Sequence, residues 1–393
     1  MASENSDFIK RLLLERIREK GSIAFSEFLK IALYDPEVGY YASGRARVGK
    51  HGDFVTNVSV GPVYGLLLAR WFAEQFSNAS LFSKDAVLVE QGTHDGQLAS
   101  DVLTELFKIA PQRFWRYWIV EPSAALQKQQ AAKLAPFADS LRWFSSIEEL
   151  PEFSGIHFSN ELVDALPFDL VERKNACWHE RRVCECEGQF TLRRSAIDPA
   201  QHTEAFLKAI DRLPKNPDFP EPYYSEIRPS QSEWLQNLSK KLQRGRILIC
   251  DYGYSLPMFY APWRKKGSLQ CYAKHSKNED PFLNLGEQDI SAHVDFTALA
   301  QDALAADLQV EGYADQYHFL IRAGTEWLRS LEDTASTPET TKYLAAFKTL
   351  IHPESMGTQF RYLALSKNLP PVDSLSGFES VARSHEKLAL SFC

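Results

Sequence analysis

Between residues 86 and 161 short apolar runs alternate with helical patterns, and this alternation limits the possible folds more than any other feature of the chain. AVLVE (86–90), YWIVE (117–121), LRWFS (141–145) and GIHFSNE (155–161) each have the length of a strand. QLASDVLTELFKIA and SAALQKQQAAKLA follow the first two and carry apolar residues at helical spacing. Strands that are apolar almost throughout need cover on both faces, and helical crossovers supply it. The pattern returns as SEWLQNLSKKLQRG (helix), RILICDYGY (strand), DFTALAQDALAADL (helix) and LQVEGYADQ (strand). Helices near 315–331 and 338–351 lead to QFRYLALSK, the last strand. The expectation is a doubly wound α/β fold whose seven-stranded sheet closes on an antiparallel pair.

Residues 1–80 form an N-terminal helical and lid region, with helical spacing at 5–20, about 25–33 and about 62–77. The Gly- and Tyr-rich loop within it is long for a bare connection and points to a lid or binding segment. Residues 81–393 form the core, interrupted by an α+β insertion at about 168–228 and a substrate-side loop at about 254–294. Six cysteines in 393 residues suggest reduced thiols rather than a disulfide scaffold. Cys177, His179, Cys184 and Cys186 lack the second ligand cluster of a zinc site and read as strand residues, so no metal is expected. A net charge of -7 argues against non-specific nucleic-acid or anionic-membrane binding. No run approaches the ~18–20 apolar residues that cross a bilayer. The acidic, charge-alternating N-terminus resembles neither a signal nor a transit peptide, so the cytoplasm is the simplest location, with an organellar matrix as the alternative.

Ligands of open α/β sheets sit at the carboxyl ends of strands, where the strand order reverses. There, Glu90, Gly92 and Gly96 in VEQGTHDGQL set a strand-ending acid before glycines. The dinucleotide pattern G-x-G-x-x-G fails, because His94 and Gln97 stand at two of its positions. An S-adenosylmethionine (SAM) loop is the nearer form, and a purely structural turn is the alternative. Glu121 ends the second strand before Pro122 and Ser123; it can accept hydrogen bonds from two ribose hydroxyls, or be an acid favoured near a helix N-terminus. In SNELVDALP, Asn160, Glu161 and Asp164 crowd the sheet edge. Two carboxylates there can grip a guanidinium, or merely cap a short helix. Asp251 and Tyr252 end a further strand, and His275, Asp289, His293 and Asp295 are candidates for a substrate wall, although Asp295 is also placed to N-cap a helix.

Six stretches in order resemble the MidA-like SAM-dependent methyltransferases, which include the mitochondrial complex I assembly-factor methyltransferases. They are YDPEVGYY (34–41), GDFVT (52–56), VEPS (120–123), NELVDALP (160–167), DYGY (251–254) and QDISAHVDF (288–296), spread over nearly the whole chain. The resemblance implies a class I methyltransferase core, Rossmann-like, with SAM as cofactor and, for the mitochondrial members, methylation of a protein arginine. It implies that Gly92, Gly96 and Glu121 contact SAM, with Asp53 and Thr56 of the lid loop close by and Ser146 and Ile147 at the adenine. Glu161 and Asp164 would face the acceptor. The departure is the opening turn: members commonly read E-x-G-x-G-x-G, and His94 here replaces the middle glycine. Its ring could crowd the amino-acid end of SAM or hydrogen-bond to it, and Asp95 could meet the ligand's amino group.

The candidate residues are therefore Asn160, Glu161 and Asp164 for catalysis, and Glu90, Gly92, His94, Gly96, Glu121, Ser146, Ile147, Asp53 and Thr56 for the cofactor. Asp251, Tyr252 and His293 are those for the substrate. A protein substrate is expected, without nucleic acid or membrane, and a homodimer is left open. Two other readings stand beside this one: a small-molecule SAM methyltransferase, and a non-catalytic binding protein of the same fold, to which His94 would point.

Overall fold

The computed structural model describes residues 2–41, 56–216, 219–273, 276–332 and 337–390. Helices α1 (Ala2–Lys20), α2 (Phe25–Tyr34) and α3 (Val63–Ser77) open the chain. The alternation read from the sequence follows as β1 (Val87–Gln91), α4 (Gln97–Ile109), β2 (Arg116–Val120), α5 (Ala124–Lys133), β3 (Leu141–Phe144) and β4 (Phe153–Asn160). The insertion supplies β5 (Asp169–Lys174), β6 (Cys177–Cys186), β7 (Gln189–Ser195), α6 (Glu204–Asp211) and β8 (Tyr223–Ile227). Then come α7 (Ser230–Lys241), β9 (Leu242–Tyr254) and the short α8 (Leu256–Phe259). The substrate-side loop contains three short strands, β10 (Gln270–Ala273), β11 (Ser276–Asn278) and β12 (Asp289–Ser291). The chain closes with β13 (Val294–Asp295), α9 (Phe296–Ala305), β14 (Gln309–Asp315), α10 (Gln316–Ala323), α11 (Thr325–Glu332), α12 (Pro338–Ile351), β15 (Phe360–Lys367) and α13 (Val381–Lys387).

The main sheet has the order β14-β15-β9-β4-β1-β2-β3, with the two-residue β13 pairing β9 from the side. Strands β3, β2, β1, β4 and β9 are parallel, while β15 runs antiparallel to both of its neighbours. This is the class I methyltransferase-like arrangement that the pattern predicts. Alternate side chains of each strand enter two separate cores, as a sheet covered on both faces requires. Leu88, Tyr117, Ile119, Ile156 and Phe158 pack with α3 and α4 on one face. Val87, Val89, Trp118, Ile247 and Ile249 pack with Trp234 and Leu235 of α7 and Leu299 of α9 on the other.

A third cluster joins the N-terminal helices to the two inserted pieces. Phe25, Phe28 and Leu29 of α2 pack against Leu170 and Val183 of the insertion and Cys271 and Ile290 of the small sheet. The backbone of Ile23 bridges Val183, and the Ser26 N–H donates to Asp169 Oδ1 at 2.8 Å. The insertion's sheet, β7-β6-β5-β8, and the small sheet, β11-β10-β12, thus share their apolar packing with α1 and α2.

Gly155 takes φ +155° beside β1, so a Cβ there would point into the neighbouring strand, 1.9 Å from the Val87 carbonyl oxygen. Gly155→Ala is expected to cost about 3 kcal/mol through forced separation of the two strands, lowering the melting temperature by roughly 5–10 °C. Gly188→Ala, at a hairpin tip where nothing lies within 4 Å of the added carbon, should cost about 1 kcal/mol from its left-handed φ alone. Equal melting shifts in the two variants would contradict the close approach.

Candidate active site

The carboxyl ends of the central strands open onto one cavity of about 1180 Å³. Ligand sites run up to about 1,000 Å³, so this volume leaves room for a cofactor and part of a second molecule. The turns after β1 and β2 line one end, and the turn after β4 lines the other.

At the first end Glu90 is buried and accepts a short hydrogen bond from the Tyr117 hydroxyl. Burial pushes its pKa up to about 8 despite that bond. Gly92 has φ +80°, and a Cβ there would press to 3.1 Å from Leu162. Glu121 Oε1 accepts the Ser123 N–H at 2.9 Å and Oε2 accepts Gln130 Nε2 at 3.3 Å, while burial raises its pKa. A carboxylate offers about four acceptor positions, so both oxygens can still take a diol. Ser123 caps α5 through its Oγ, as the sequence suggests. Thr93 Oγ1, on the same wall, is buried with no hydrogen-bond partner among the described residues. An orphaned hydroxyl beside a cavity is what a missing ligand leaves.

His94 lines this end and takes φ +49°, a left-handed conformation that His tolerates better than most residues. The turn is tied to α5: Gln130 Nε2 donates to the His94 carbonyl at 2.7 Å, and Lys133 Nζ meets Asp95 Oδ2 at 2.5 Å. Burial works against the Asp95 anion, but bonds from His94 and Lys133 outweigh it and hold the carboxyl below the usual range. Asp95, which could meet the ligand's amino group, lines the cavity and is engaged by Lys133 and the Gln97 N–H. Gly96 stands off the cavity wall as the left-handed N-cap of α4. Ser146 and Ile147, expected at the adenine, are also off that wall. Ile147 packs with Leu150 and Trp234, and residues 121–126 line the cavity there. Thr56 lines the cavity, whereas Asp53 and His275 lie outside the described residues.

At the second end Asn160, Glu161 and Asp164 meet Tyr252, His293 and Asp289, together with Tyr34, Tyr41 and Tyr272. Burial, then the charge of Asp251, pushes Glu161 up to about 8, although Asn160 Nδ2 donates to its Oε1 at 2.9 Å. Burial and the charges of Asp251, Asp289 and Glu161 hold Asp164 well above the ordinary carboxylate range. The Tyr41 hydroxyl donates to Asp289 and that of Tyr34 to the Ala165 carbonyl. Behind Glu161 runs a buried chain: Tyr362 donates to Tyr64, and Tyr64 donates to Asn160 Oδ1 at 2.6 Å.

Asp251 corrects the sequence reading. Its carboxylate is wholly buried, off the cavity, and Oδ2 accepts the N–H groups of Leu162, Val163 and Asp164 at 3.1, 2.7 and 3.3 Å. It positions the acidic turn rather than touching an acceptor. Arg228 serves the same turn from the other side, donating to the carbonyls of Asp164, Leu166 and Ala292. Asp295 caps α9 through Oδ1, its alternative role. His293 Nδ1 faces an Arg264 donor at 3.0 Å, so the ring proton belongs on Nε2; burial and Arg264 bring its pKa down to about 3 and keep it neutral.

Residues 67–314 match a protein family described as "Putative S-adenosyl-L-methionine-dependent methyltransferase". The mouse mitochondrial protein arginine methyltransferase NDUFAF7 is 27% identical over 90% of this chain and 83% of its own. The human counterpart is 26% identical over 90% and 82%. A Burkholderia thailandensis crystal structure bound to S-adenosyl-homocysteine superposes with a TM-score of 0.83 at 28% identity, covering 96% of this chain and 95% of that one. The buried acid Glu121, the left-handed turn at Gly92 and the orphaned Thr93 hydroxyl fit such a ligand.

Glu121→Ala is expected to weaken S-adenosyl-homocysteine binding roughly 10–100-fold in calorimetric titration; unchanged affinity would remove Glu121 from the cofactor wall. Glu161 supplies a second test. The folded protein keeps its proton up to about 8, whereas the unfolded chain releases it near 4.5. Its contribution to stability is full below pH ~4.5 and is lost as pH rises through the folded value. Glu161→Gln should therefore gain melting temperature relative to the parent between pH 5 and pH 8.5, and a difference independent of pH would refute the raised value.

Proposed function

The chain belongs to this S-adenosyl-L-methionine-dependent methyltransferase family, and from that premise we propose that its methyl acceptor is an arginine side chain of a protein. The observation that carries the reading is the gathering of Glu161, Asp164 and Asp289 among four tyrosines at one end of the cavity. Such a site is unfavourable when empty, because burial and neighbouring carboxylates hold Glu161 and Asp164 in their protonated forms. A guanidinium, always charged and rich in N–H donors, is the cation that relieves it best. The relatives named above as protein arginine methyltransferases support the same choice.

When bound, SAM supplies an electrophilic methyl on a positive sulfur, held by Glu121, Gly92 and Thr93. The protein's own work is then positional, and alignment alone is worth several kcal/mol. A guanidinium is a poor nucleophile while its charge is spread over three nitrogens. Ionised Glu161 and Asp164 draw that charge to the nitrogens they bind and leave one free to face the methyl. That nitrogen must shed a proton, and the Glu161 carboxylate is the acceptor at hand. Asn160, fixed by Tyr64, holds Glu161 in place.

The relatives are named as mitochondrial, and no helix among the described residues is long and apolar enough to cross a membrane. We place the reaction in the cytoplasm or in an organellar matrix.

Glu161→Gln and Asp164→Asn are each expected to lower kcat for protein-arginine methylation by about 10²-fold or more, with S-adenosyl-homocysteine affinity kept within about threefold. The measurement is transfer of labelled methyl to a cell lysate, sized on a gel, with methylarginine identified by mass spectrometry and free arginine as a parallel acceptor. Label confined to small molecules, or wild-type rates in both variants, would overturn the proposal.

A further inference from the structure

The small sheet β11-β10-β12 forms part of the cavity wall. Its two faces differ in chemistry. Cys271 and Ile290 are buried against the N-terminal helices, while Gln270, Tyr272, Lys277, Asp289 and Ser291 line the cavity. The pairing explains this: Tyr272 lies opposite Lys277 on one neighbour and opposite Asp289 on the other. Residues directly opposed across strands share a face. Lys277, Tyr272 and Asp289 therefore form one row along the cavity wall. The row is acidic at the end near Glu161 and Asp164 and basic two strands away, a spacing of roughly 9–10 Å between the outer backbones.

Lys277 is exposed, and no hydrogen bond or ion pair among the described residues engages its ammonium. The approach to β10 is basic as well: Lys265 and Lys266 are exposed just before Ser268, which lines the cavity. This local positive charge stands against a chain whose net charge is -7.

We infer that the acceptor segment carries a carboxylate about three residues from its arginine, held by Lys277 while the guanidinium lies against Asp289, Glu161 and Asp164. The inference rests on the arginine reading above. An extended chain spans ~3.3–3.6 Å per residue, so three residues match the distance along the row. A neighbouring lysine or arginine in place of the carboxylate would meet Lys277 with like charge.

The test is binding of fluorescent peptides to the protein saturated with S-adenosyl-homocysteine, each with one arginine and an Asp, Asn or Lys three residues away. Parent protein should bind the Asp peptide about tenfold more tightly than the Lys peptide, and Lys277→Glu should reverse that order. Equal affinities, or an order that Lys277→Glu leaves unchanged, would overturn the inference. Methylation of the same peptides is measured separately. A charge preference without methylarginine would refute the arginine acceptor while keeping the anion subsite at Lys277, so the two failures are distinguishable.

Discussion

One buried carboxylate organises the second half of the site. Asp251, at the end of β9, gathers the amides of Leu162, Val163 and Asp164 around a single oxygen. The chain leaving β4 must therefore turn at once, and Glu161 takes φ +54° to do so. Left-handed backbone at a non-glycine residue persists where its surroundings over-determine it. Here the determinants are the Asp251 clamp, the Glu161 N–H to the Cys250 carbonyl at 2.9 Å, and Arg228 drawing in the carbonyls beyond. Glu161 and Asp164 are forced side by side as a result. The raised pKa values of these acids follow first from burial and then from the charges of Asp251 and Asp289.

The cavity that results has two ends of different character. One end is built from backbone turns after β1 and β2, braced by α5 through Gln130 and Lys133. The His94 carbonyl and the neighbouring Asp95 are fixed to α5, which braces the turn at the position where the middle glycine would stand. The other end depends on pieces outside the core sheet. Tyr34 and Tyr41 come from α2 and the chain after it, and Tyr272 and Asp289 from the small sheet. Their common packing with the insertion makes one apolar cluster the support of the acceptor wall.

The fold was legible because each central strand is apolar throughout and each crossover helix has its own periodicity. The strand-ending acids Glu90, Glu121 and Glu161 were legible for the same reason, since a strand's end locates the cavity. What sequence could not give is direction. Asp251 ends a strand as Glu121 does, yet its side chain turns inward to the β4 turn. Ser146 and Ile147 follow the edge strand β3, and Ile147 is buried in the core with Leu150 and Trp234. Of the wall formed by Gln270, Tyr272, Asp289 and Ser291, only Asp289 was read from the sequence, because the strands are only three or four residues long. A signal was present in the polar–apolar alternation around Cys271 and Ile290, which is too short to stand out from a loop. The terminal α13 likewise spans only seven residues.

The central claim is that the acidic end stays protonated until a guanidinium enters and ionises it. Calorimetric titration of an arginine peptide into the S-adenosyl-homocysteine complex at pH 7, repeated in buffers of different ionisation enthalpy, counts protons directly. With Glu161 near 8 and Asp164 above the ordinary range, release of about one proton or more per bound peptide is expected. Binding with an apparent enthalpy that does not depend on the buffer would mean the carboxyls were already ionised, and would contradict the account.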